Sequence, residues 1–417
     1  MITFMIHAVF VFSVVFIWLM LLYQFVLCLG GFFYRGKIAR EESLPVEPDL
    51  LPSVSILIPA RNEEKVIGKL LERIAEFEYP AAKINVLVVD DGSSDRTAEI
   101  VAEFGRRDPR FGMISVPAEK SGRGKSAALN MAVKQAAGEV IAVYDADNIP
   151  DKDSLVRLCA ALGRDKRLAA VCGKFRAYNK GRNLLTRCIN LEGIAFQWLI
   201  QAGRNFFLGL CFIPGTNFVI RKSVLTELGG WDEQALTEDS ELTFRIYGKG
   251  YRIKFLPTAT TWEQEPERLS TWIRQRTRWA RGNNYIISKN LRTVFKTRPK
   301  LTTFELLNLF YLYYFFIFAI LFSDILFILS LVGVVHIRVI GPYAELWALA
   351  FLLYLLEVLI ALAFEREDTF GNFFIACLAY VTYTKLWVWV VLKSLYLDYI
   401  RRSSRTWAKT ERFNIEP

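Results

Sequence analysis

The chain contains little of what zinc-binding or disulfide-linked proteins need. It has 2 histidines and 6 cysteines, and no two cysteines form a CxxC pair, so a zinc site is not expected. Cys28 and Cys377 fall in apolar stretches, and the other four cysteines are expected to be reduced core residues in a cytosolic domain. Proline and glycine are sparse, at 14 and 25 of 417 residues, and 53% of residues are hydrophobic. This composition excludes a disordered or collagen-like chain.

The N-terminal segment lacks charge altogether. No Asp, Glu, Lys or Arg occurs between Met1 and Tyr34, whereas about 20 apolar helical residues suffice to cross a bilayer core. The basic start, short apolar region and cleavage site of a secretory signal are missing, so we predict a retained transmembrane helix. Because Arg35, Lys37 and Arg40 follow it, the positive-inside rule places the next residues in the cytosol.

The alternation of charged and apolar stretches predicts the chain's organisation. We expect an N-terminal transmembrane helix, a juxtamembrane linker, a cytosolic domain, an interface helix with C-terminal transmembrane helices, and a basic tail, at residues 1–34, 35–52, 53–290, 291–400 and 401–417. Apolar stretches after the domain lie at about 306–337, 346–364 and 370–392. If all three of these stretches crossed, starting from the cytosol, the basic tail would lie outside, against the positive-inside rule. Either the third stretch does not cross, or the first crosses twice.

The cytosolic domain alternates strand and helix patterns. Strand patterns lie at Ser53–Ala60, Ile84–Asp90, Phe111–Val116 and Glu139–Tyr144. Helical patterns lie at Glu64–Phe77, Arg96–Phe104 and Lys125–Ala137. This order predicts an α/β domain with a mostly parallel sheet and helices on both faces. In such sheets the ligand binds beyond the carboxyl ends of the strands.

Three of these strands end in polar turns. The turns contain the sequences Arg61-Asn62-Glu63, Asp90-Asp91-Gly92-Ser93 and Asp145-Ala146-Asp147. Two carboxylates in a DxD pattern suit Mg²⁺ or Mn²⁺ together with diphosphate oxygens. Each motif alone is also compatible with an ordinary surface turn or helix cap. Their convergence predicts one acidic cleft.

Two further charged sites lie at predicted helix starts. Lys125 follows two glycines, but a P-loop would need glycine where Glu119 stands, so a Walker-type ATPase is disfavoured. At a helix start Lys125 can meet a diphosphate or simply be solvated. Glu238 and Asp239 precede a helical pattern and can act as caps. In a cleft that holds a metal, such a carboxylate is also a candidate general base.

The sequence QRTRW places three different groups on one helix face. Gln275, Arg278 and Trp279 are spaced i, i+3 and i+4. A guanidinium suits phosphate oxygens, and the indole offers a flat surface for a sugar ring. The alternative is an amphipathic helix at the membrane surface, which Trp272, Arg274, Arg276 and Arg281 would also fit.

The motifs DDGS, DAD, TED and QRTRW occur in this order between an N-terminal span and C-terminal apolar helices. In this the chain resembles the processive family 2 glycosyltransferases, a group that includes the cellulose, chitin, hyaluronan and poly-N-acetylglucosamine synthases. The compact length is most similar to the bacterial poly-N-acetylglucosamine synthases. The resemblance implies a GT-A fold and inverting transfer from a UDP-sugar to a growing β-linked polysaccharide that is then exported. UDP-N-acetylglucosamine is favoured, with UDP-glucose second.

The resemblance also implies roles for individual residues. The donor would be bound by Arg61, Glu63, Asp91, Lys125 and Asp145. The cation, Mg²⁺ or Mn²⁺, would be held by Asp145 and Asp147. Asp239, with Glu238 beside it, would deprotonate the acceptor hydroxyl. The acceptor and leaving group would be lined by Gln275, Arg278 and Trp279.

The same resemblance implies a multi-pass plasma-membrane protein with a cytosolic catalytic domain. Its partners would be the UDP-sugar, the growing polysaccharide, the lipid bilayer and a small membrane accessory subunit, with no nucleic acid. Two other functions stay open from the sequence. A non-processive transferase acting on a lipid carrier would share DDGS and DAD. A transporter or receptor with a cytosolic domain would not need so many carboxylates at strand ends.

Overall fold

The computed structural model describes residues 1–43, 45–291, 300–335 and 343–403. The strands in these residues form one sheet and are β1 (Val54–Ala60), β2 (Ile84–Asp90), β3 (Phe111–Ser115), β4 (Val140–Val143), β5 (Ile149–Pro150), β6 (Leu168–Ala177), β7 (Phe218–Arg221) and β8 (Arg252–Glu263). Their order is β3-β2-β1-β4-β7-β6-β8-β5. Strands β1 to β4 run parallel, as do β6 and β8, whereas β7 and β5 are antiparallel to their neighbours. The predicted α/β fold with a mostly parallel sheet is confirmed.

The helices of the α/β domain connect these strands and pack against the sheet. They are α2 (Ile67–Ala75), α3 (Thr97–Arg107), α4 (Lys125–Val133), α5 (Ser154–Arg164), α6 (Leu184–Ala195), α7 (Arg204–Leu208), α8 (Lys222–Glu227), α9 (Glu238–Gly248) and α10 (Leu269–Asn290). A π-helical turn, Phe196–Gly203, joins α6 to α7. In α2, the residues at helical spacing are fully buried, namely Ile67, Leu70, Leu71 and Ile74. This apolar face drives the helix onto the sheet.

Helix α2 begins later than the sequence pattern predicts, at Ile67 instead of Glu64. The preceding residues form a turn fixed by the loop after β2. The backbone N–H of Glu63 donates to Thr97 Oγ1 at 2.7 Å, and that of Glu64 donates to Asp95 Oδ2 at 3.1 Å. These side chains give the backbone an alternative to helical hydrogen bonds. The turn keeps the end of β1 open toward the cleft.

The remaining helices are long and apolar. They are α1 (Ile2–Glu42), α11 (Lys300–Phe310), α12 (Ile317–Leu331), α13 (Tyr343–Phe364), α14 (Phe370–Val381) and α15 (Tyr383–Leu395). A π-helical turn at Tyr311–Phe316 joins α11 to α12, and another, Tyr396–Ile400, follows α15. Within the described ranges, four helical stretches are long and apolar enough to cross a bilayer: Phe4–Glu42, Leu301–Leu331, Glu345–Phe364 and Phe370–Ile400.

The first helix extends beyond Tyr34, where the sequence predicts a linker, and ends at Glu42. Its last turns are fixed against the α/β domain. The Tyr34 hydroxyl donates to the carbonyl of Phe255 at 2.6 Å, Arg157 pairs with Glu42 at 3.2 Å, and Lys254 pairs with Glu41. The part of the predicted linker up to Glu42 is therefore helical. Residues 404–417, most of the predicted basic tail, lie outside the described residues.

Helix α1 packs directly onto the backbone of the π-helical turn before α7. A Cβ atom on Gly203 would lie 2.1 Å from the carbonyl oxygen of Leu27, and one on Gly31 would lie 2.3 Å from that of Trp198. Both contacts are backbone contacts, which cannot be relieved by a change of rotamer. Glycine at these positions therefore sets how closely helix α1 approaches the domain.

We expect Gly203→Ala to destabilise the protein, because α1 and the π-helical turn must separate to admit the methyl group. Overpacking of this kind costs about 1–3 kcal/mol. The measurement is the thermal unfolding midpoint in detergent. Gly163→Ala is the matched control, since Gly163 lies exposed in α5 with nothing within 4 Å of the added Cβ. An unchanged midpoint for Gly203→Ala would contradict the tight contact.

Candidate active site

All of the residues predicted to form the site line one cavity of about 1160 Å³. They are Arg61, Glu63, Asp91, Lys125, Asp145, Asp147, Glu238, Asp239, Gln275, Arg278 and Trp279. The carboxyl ends of β1, β2 and β4 lie side by side in the sheet and open toward this cavity. The structure thus brings together side chains that are distant in sequence.

The two aspartates after β2 have different surroundings. Asp90 Oδ1 accepts a hydrogen bond from the backbone N–H of Ser93 at 3.1 Å, which is a turn contact. Asp91 lines the cavity, accepts from the N–H of Gly122 at 2.9 Å, and lies 3.8 Å from the Arg61 guanidinium. Gly122 has a φ of 78°, and a Cβ there would lie 3.0 Å from Arg61. Turn chemistry therefore accounts for Asp90 and leaves Asp91 facing the cavity.

Lys125 lies at the centre of the carboxylates. Its Nζ is 2.6 Å from Asp145 Oδ1 and 3.3 Å from Glu238 Oε1, and it donates to the carbonyl of Gly215 at 2.8 Å. Burial lowers the pKa of Lys125, but the carboxylates of Asp145 and Glu238 outweigh it and raise that pKa above its ordinary value. The side chain is 14% exposed. The alternative of a simply solvated lysine, which the sequence allowed, is therefore wrong. Lys125 is a fixed positive charge in the cleft.

Asp239 is a partly buried carboxylate with an unusual proton affinity. Burial and the neighbouring Glu238 carboxylate raise the pKa of Asp239 to about 7, against the opposing effect of Lys125. The backbone N–H of Ser240 donates to Asp239 Oδ1 at 2.7 Å. Its Oδ2 lies 2.9 Å from where a Cβ of residue 215 would stand, a position occupied by Gly215 with a φ of 80°. Both acids lie in the first turn of α9, whereas the sequence pattern placed them before the helix.

Asp145 and Asp147 have the chemistry of a site for a hard divalent cation. Asp147 is 4% exposed and Asp145 34% exposed, and both line the cavity. The described lining residues include no histidine or cysteine, so the available ligands are oxygens, which Mg²⁺ and Mn²⁺ prefer. Within the described part of the chain, no three acidic, histidine or cysteine residues cluster as a metal site. A cation here would need further ligands from a bound molecule or water.

Helix α10 places the QRTRW residues along the same cavity. The guanidinium of Arg278 donates to the carbonyl of Leu236 at 3.0 Å, just before the acids of α9. Gln275 Oε1 is buried and has no hydrogen-bond partner among the described residues. A buried carbonyl oxygen of this kind is suited to accept from a ligand hydroxyl. Trp279 lines the cavity beside it.

Arg276 and Glu192 are site residues that the sequence did not identify as such. Arg276 is 4% exposed, and its guanidinium carbon lies 3.9 Å from the centre of the Trp279 ring. Glu192 of α6 accepts from Arg276 at 2.7 Å, from Tyr383 at 2.7 Å and from Trp387 at 2.7 Å. The membrane-surface interpretation is therefore wrong for Arg276 and for the fully buried Trp272, because both pack inside the protein. Arg274 is exposed.

The sequence does contain a local signal for the start of α6, the helix that carries Glu192. Asn183 caps α6 by accepting from the N–H of Thr186 at 2.9 Å, and Thr186 Oγ1 accepts from the N–H of Asn183 at 3.0 Å. The sequence Asn183-Leu184-Leu185-Thr186 is a capping-box pattern, which marks the start of α6. Nothing local shows that Glu192 would meet a residue 84 positions later.

This fold and this arrangement of carboxylates are those of a glycosyltransferase. The chain belongs to glycosyltransferase family 2, since the family model described as "Glycosyltransferase like family 2" matches residues 52–282. The resemblance noted in the sequence is thereby confirmed at the level of the family. The match ends inside α10 and includes the QRTRW residues.

Two relatives extend the comparison. The chain is 44% identical to the probable glycosyltransferase YdaM of Bacillus subtilis over 415 residues, which cover 98% of each protein. It is 30% identical to the poly-beta-1,6-N-acetyl-D-glucosamine synthase of Staphylococcus aureus over 271 residues, which cover 64% of each. The first likeness includes the apolar helices, whereas the second covers about two thirds of either chain.

A solved structure shares the fold. The mannosyltransferase of Pyrobaculum calidifontis, determined with GDP-mannose and Mn²⁺, superimposes with a TM-score of 0.58 at 22% identity. The match covers 86% of this chain and 99% of that one. At this identity the likeness defines the GT-A fold.

On the roles predicted from the sequence for Trp279 and for the donor, we expect Arg276→Lys to weaken acceptor binding while leaving UDP affinity unchanged. A lysine can still pair with Glu192, but it lacks the planar group that stacks on Trp279. Stacking of a cation on an aromatic ring is worth about 0.5–2 kcal/mol, so the acceptor KM should rise severalfold. The control is Arg274→Lys on the exposed face of α10. A wild-type acceptor KM for Arg276→Lys would show that this stack does not position the indole.

Proposed function

We propose that this protein is a membrane-embedded, inverting, processive glycosyltransferase that makes a β-linked polysaccharide from a UDP-sugar and exports it. The observation that carries the proposal is the course of the cavity. The same cavity is lined by Asp91 and Asp239 in the cytosolic part, then by Trp279, and by Tyr354 and Lys385 of the apolar helices. A long product that leaves the site past Trp279 would enter the space between these helices.

The proposed chemistry follows from the positions of the acids and bases. Arg61, Glu63 and Asp91 would bind the nucleoside at one end of the cavity. Asp145 and Asp147 would hold Mg²⁺ or Mn²⁺, which when bound would offset charge on the diphosphate. Lys125 lies against Asp145, so its positive charge is also directed at that region.

Asp239 would act as the general base. It would take the proton of the acceptor hydroxyl as the hydroxyl oxygen attacks the anomeric carbon of the donor sugar. The new glycosidic bond forms as the bond to the diphosphate breaks, and UDP leaves with the electron pair. Attack opposite the leaving group inverts the anomeric centre. Gln275, Arg278 and Trp279 would hold the acceptor and the departing diphosphate.

N-acetylglucosamine is the favoured sugar. The Staphylococcus aureus relative is named for a poly-beta-1,6-N-acetylglucosamine product, and its likeness supports the same donor class here. UDP-glucose and transfer to a lipid carrier are the alternatives that the experiment below distinguishes.

The contacts of the last apolar stretch favour a cytosolic C-terminus. Before α14, Glu365 pairs with Lys174 of β6 at 2.9 Å. In the middle, Tyr383 bonds Glu192 of α6. After α15, Asp398 accepts from Arg281 of α10 at 2.8 Å. A stretch that meets the same domain at its start, middle and end lies along that domain.

Three crossings then remain, by α1, by α11 with α12, and by α13. An odd number of crossings puts the N-terminus outside and the basic tail on the side of the catalytic domain. This arrangement satisfies the positive-inside rule at both Arg35 and Arg401. We therefore propose a multi-pass protein of the plasma membrane with its catalytic domain in the cytosol. A small membrane accessory subunit is a further proposed partner, as the family resemblance implies.

The proposal is tested by measuring UDP release and product length with a panel of UDP-sugars. We expect UDP-N-acetylglucosamine to be turned over fastest, with a polymeric product, and excess EDTA to abolish turnover. Asp147→Ala should lose both turnover and metal-dependent UDP binding, whereas Glu99→Gln on the exposed face of α3 should not. A product of one added sugar would instead identify a non-processive transferase, and full turnover in EDTA would remove the cation's role.

We expect Asp239→Asn to abolish transfer while UDP still binds with near wild-type affinity, because a base is needed for the chemistry and not for holding the donor. In the wild type, kcat/KM should fall about tenfold per pH unit below the pKa of about 7 of Asp239, since only the deprotonated form accepts the proton. Transfer at a wild-type rate by the variant, or a flat profile between pH 5 and 8, would exclude this base.

A further inference from the structure

Helix α10 carries a glycine on the same face as the residues predicted to hold the acceptor. Gly282 lies seven residues after Gln275, four after Arg278 and three after Trp279, and residues at these spacings share one face of a helix. Gly282 is buried in the interior of this helix. Since glycine is less favourable than alanine in a helix interior, a buried glycine at this position requires a reason.

The reason is a contact with the residue just before the acids of α9. A Cβ atom on Gly282 would lie 2.6 Å from Cγ2 of Thr237 and 2.8 Å from the Thr237 Cβ, with Oγ1 nearer still. Thr237 is itself buried. Because the backbone fixes the position of the Thr237 Cβ, a change of rotamer would not relieve the contact. The backbones of α9 and α10 would have to separate.

Thr237 does not cap the helix that it precedes. It is the N-cap residue of α9, and threonine is a common cap, yet its side chain makes no capping hydrogen bond. Its Oγ1 is buried and has no hydrogen-bond partner among the described residues. The Thr237 side chain therefore serves the packing against Gly282.

Two further contacts join α10 to α9 on either side of this glycine. The guanidinium of Arg278 donates to the carbonyl of Leu236 at 3.0 Å. The ammonium of Lys289 donates to Glu241 Oε1, in the first turn of α9, at 2.7 Å. Helix α10 therefore holds the start of α9 before, at and after the glycine contact.

The glycine contact lies between the proposed base and the proposed acceptor platform. Asp239 is two residues after Thr237, and Trp279 is about one helical turn before Gly282. Both Asp239 and Trp279 line the cavity. A separation of the two helices would change the distance between the base and an acceptor that rests on the indole. A general base must lie within hydrogen-bond reach of the hydroxyl that it deprotonates.

We propose that Gly282 is a positioning residue of the transfer reaction. Its lack of a side chain lets α10 rest directly on Thr237, and this contact sets the distance between Asp239 and Trp279. The proposal rests on the proposed function, from which it takes the roles of Asp239 and Trp279.

The test measures UDP release, UDP affinity and the thermal unfolding midpoint of the purified full-length protein in detergent. In Gly282→Ala we expect kcat to fall on the order of a hundredfold, the cost of a displacement of about 1 Å. UDP affinity should stay near that of the wild type, because the residues proposed to bind the nucleoside follow β1 and β2. Gly248→Ala is the matched control, since Gly248 ends the same helix α9 and nothing lies within 4 Å of an added Cβ there.

A second substitution tests whether the contact itself is responsible. Thr237→Gly removes all three atoms that would lie near the added Cβ, and glycine is tolerated at an N-cap. In the Thr237→Gly background, adding Gly282→Ala should lower kcat by no more than about threefold, and the difference from the loss in the wild-type background is the coupling that a double-mutant cycle measures. An equal loss in both backgrounds, or a wild-type kcat for Gly282→Ala, would overturn the positioning role.

If Gly282→Ala loses UDP affinity and so has not folded, Thr237→Val provides the second measurement. Its extra methyl group replaces the unpartnered hydroxyl, the atom nearest to the Gly282 position. It should therefore lower kcat severalfold with UDP affinity unchanged, and an unchanged kcat would overturn the role. Absence of UDP release by the wild type would refute the proposed function and this role together, whereas the other contrary outcomes refute this role alone.

Discussion

The concentration of negative charge at the carboxyl ends of the strands is the constraint that the rest of the site depends on. Carboxylates from several loops converge there, and their mutual repulsion would be costly in a buried cleft. Lys125 relieves it by contacting Asp145 and Glu238 at once. Because Lys125 is also bonded to the carbonyl of Gly215, the same ammonium fixes the loop that lies against Asp239. The Lys125 side chain thereby positions three parts of the cleft, namely Asp145, Glu238 and the loop at Gly215.

That arrangement leaves Asp239 with a pKa well above that of an ordinary aspartate. Its burial and its neighbour Glu238 hold its pKa near neutrality, while Lys125 satisfies Glu238 directly. A general base works best when its pKa is close to the working pH. Adjacent carboxylates thus acquire different properties from their contacts, as Asp90 and Asp91 do at the end of β2.

Much of the fold could be predicted because its signals are local. Strand β2 was predicted residue for residue, since the apolar run of Val86 to Val89 ends at Asp90. The start of α2 was predicted wrongly, because Thr97 and Asp95 compete for its first N–H groups from another loop. The convergence of the acids followed from a general property of parallel sheets. The partner of Arg276 could not be predicted, because Glu192 lies on a helix far away in the sequence.

Contacts between residues far apart in the sequence also explain why the sequence alone left the membrane topology in conflict. Hydropathy measures whether a helix tolerates lipid, and the stretch Phe370–Ile400 does so by length and composition. It does not register that Glu365, Tyr383 and Asp398 have partners on the α/β domain. Those contacts bind the stretch to the domain that carries the active site, and Glu192 connects it to the arginine beneath Trp279. The cavity is therefore enclosed jointly by the apolar helices and the domain, so a displacement of the last apolar stretch would also move the side chains around Trp279.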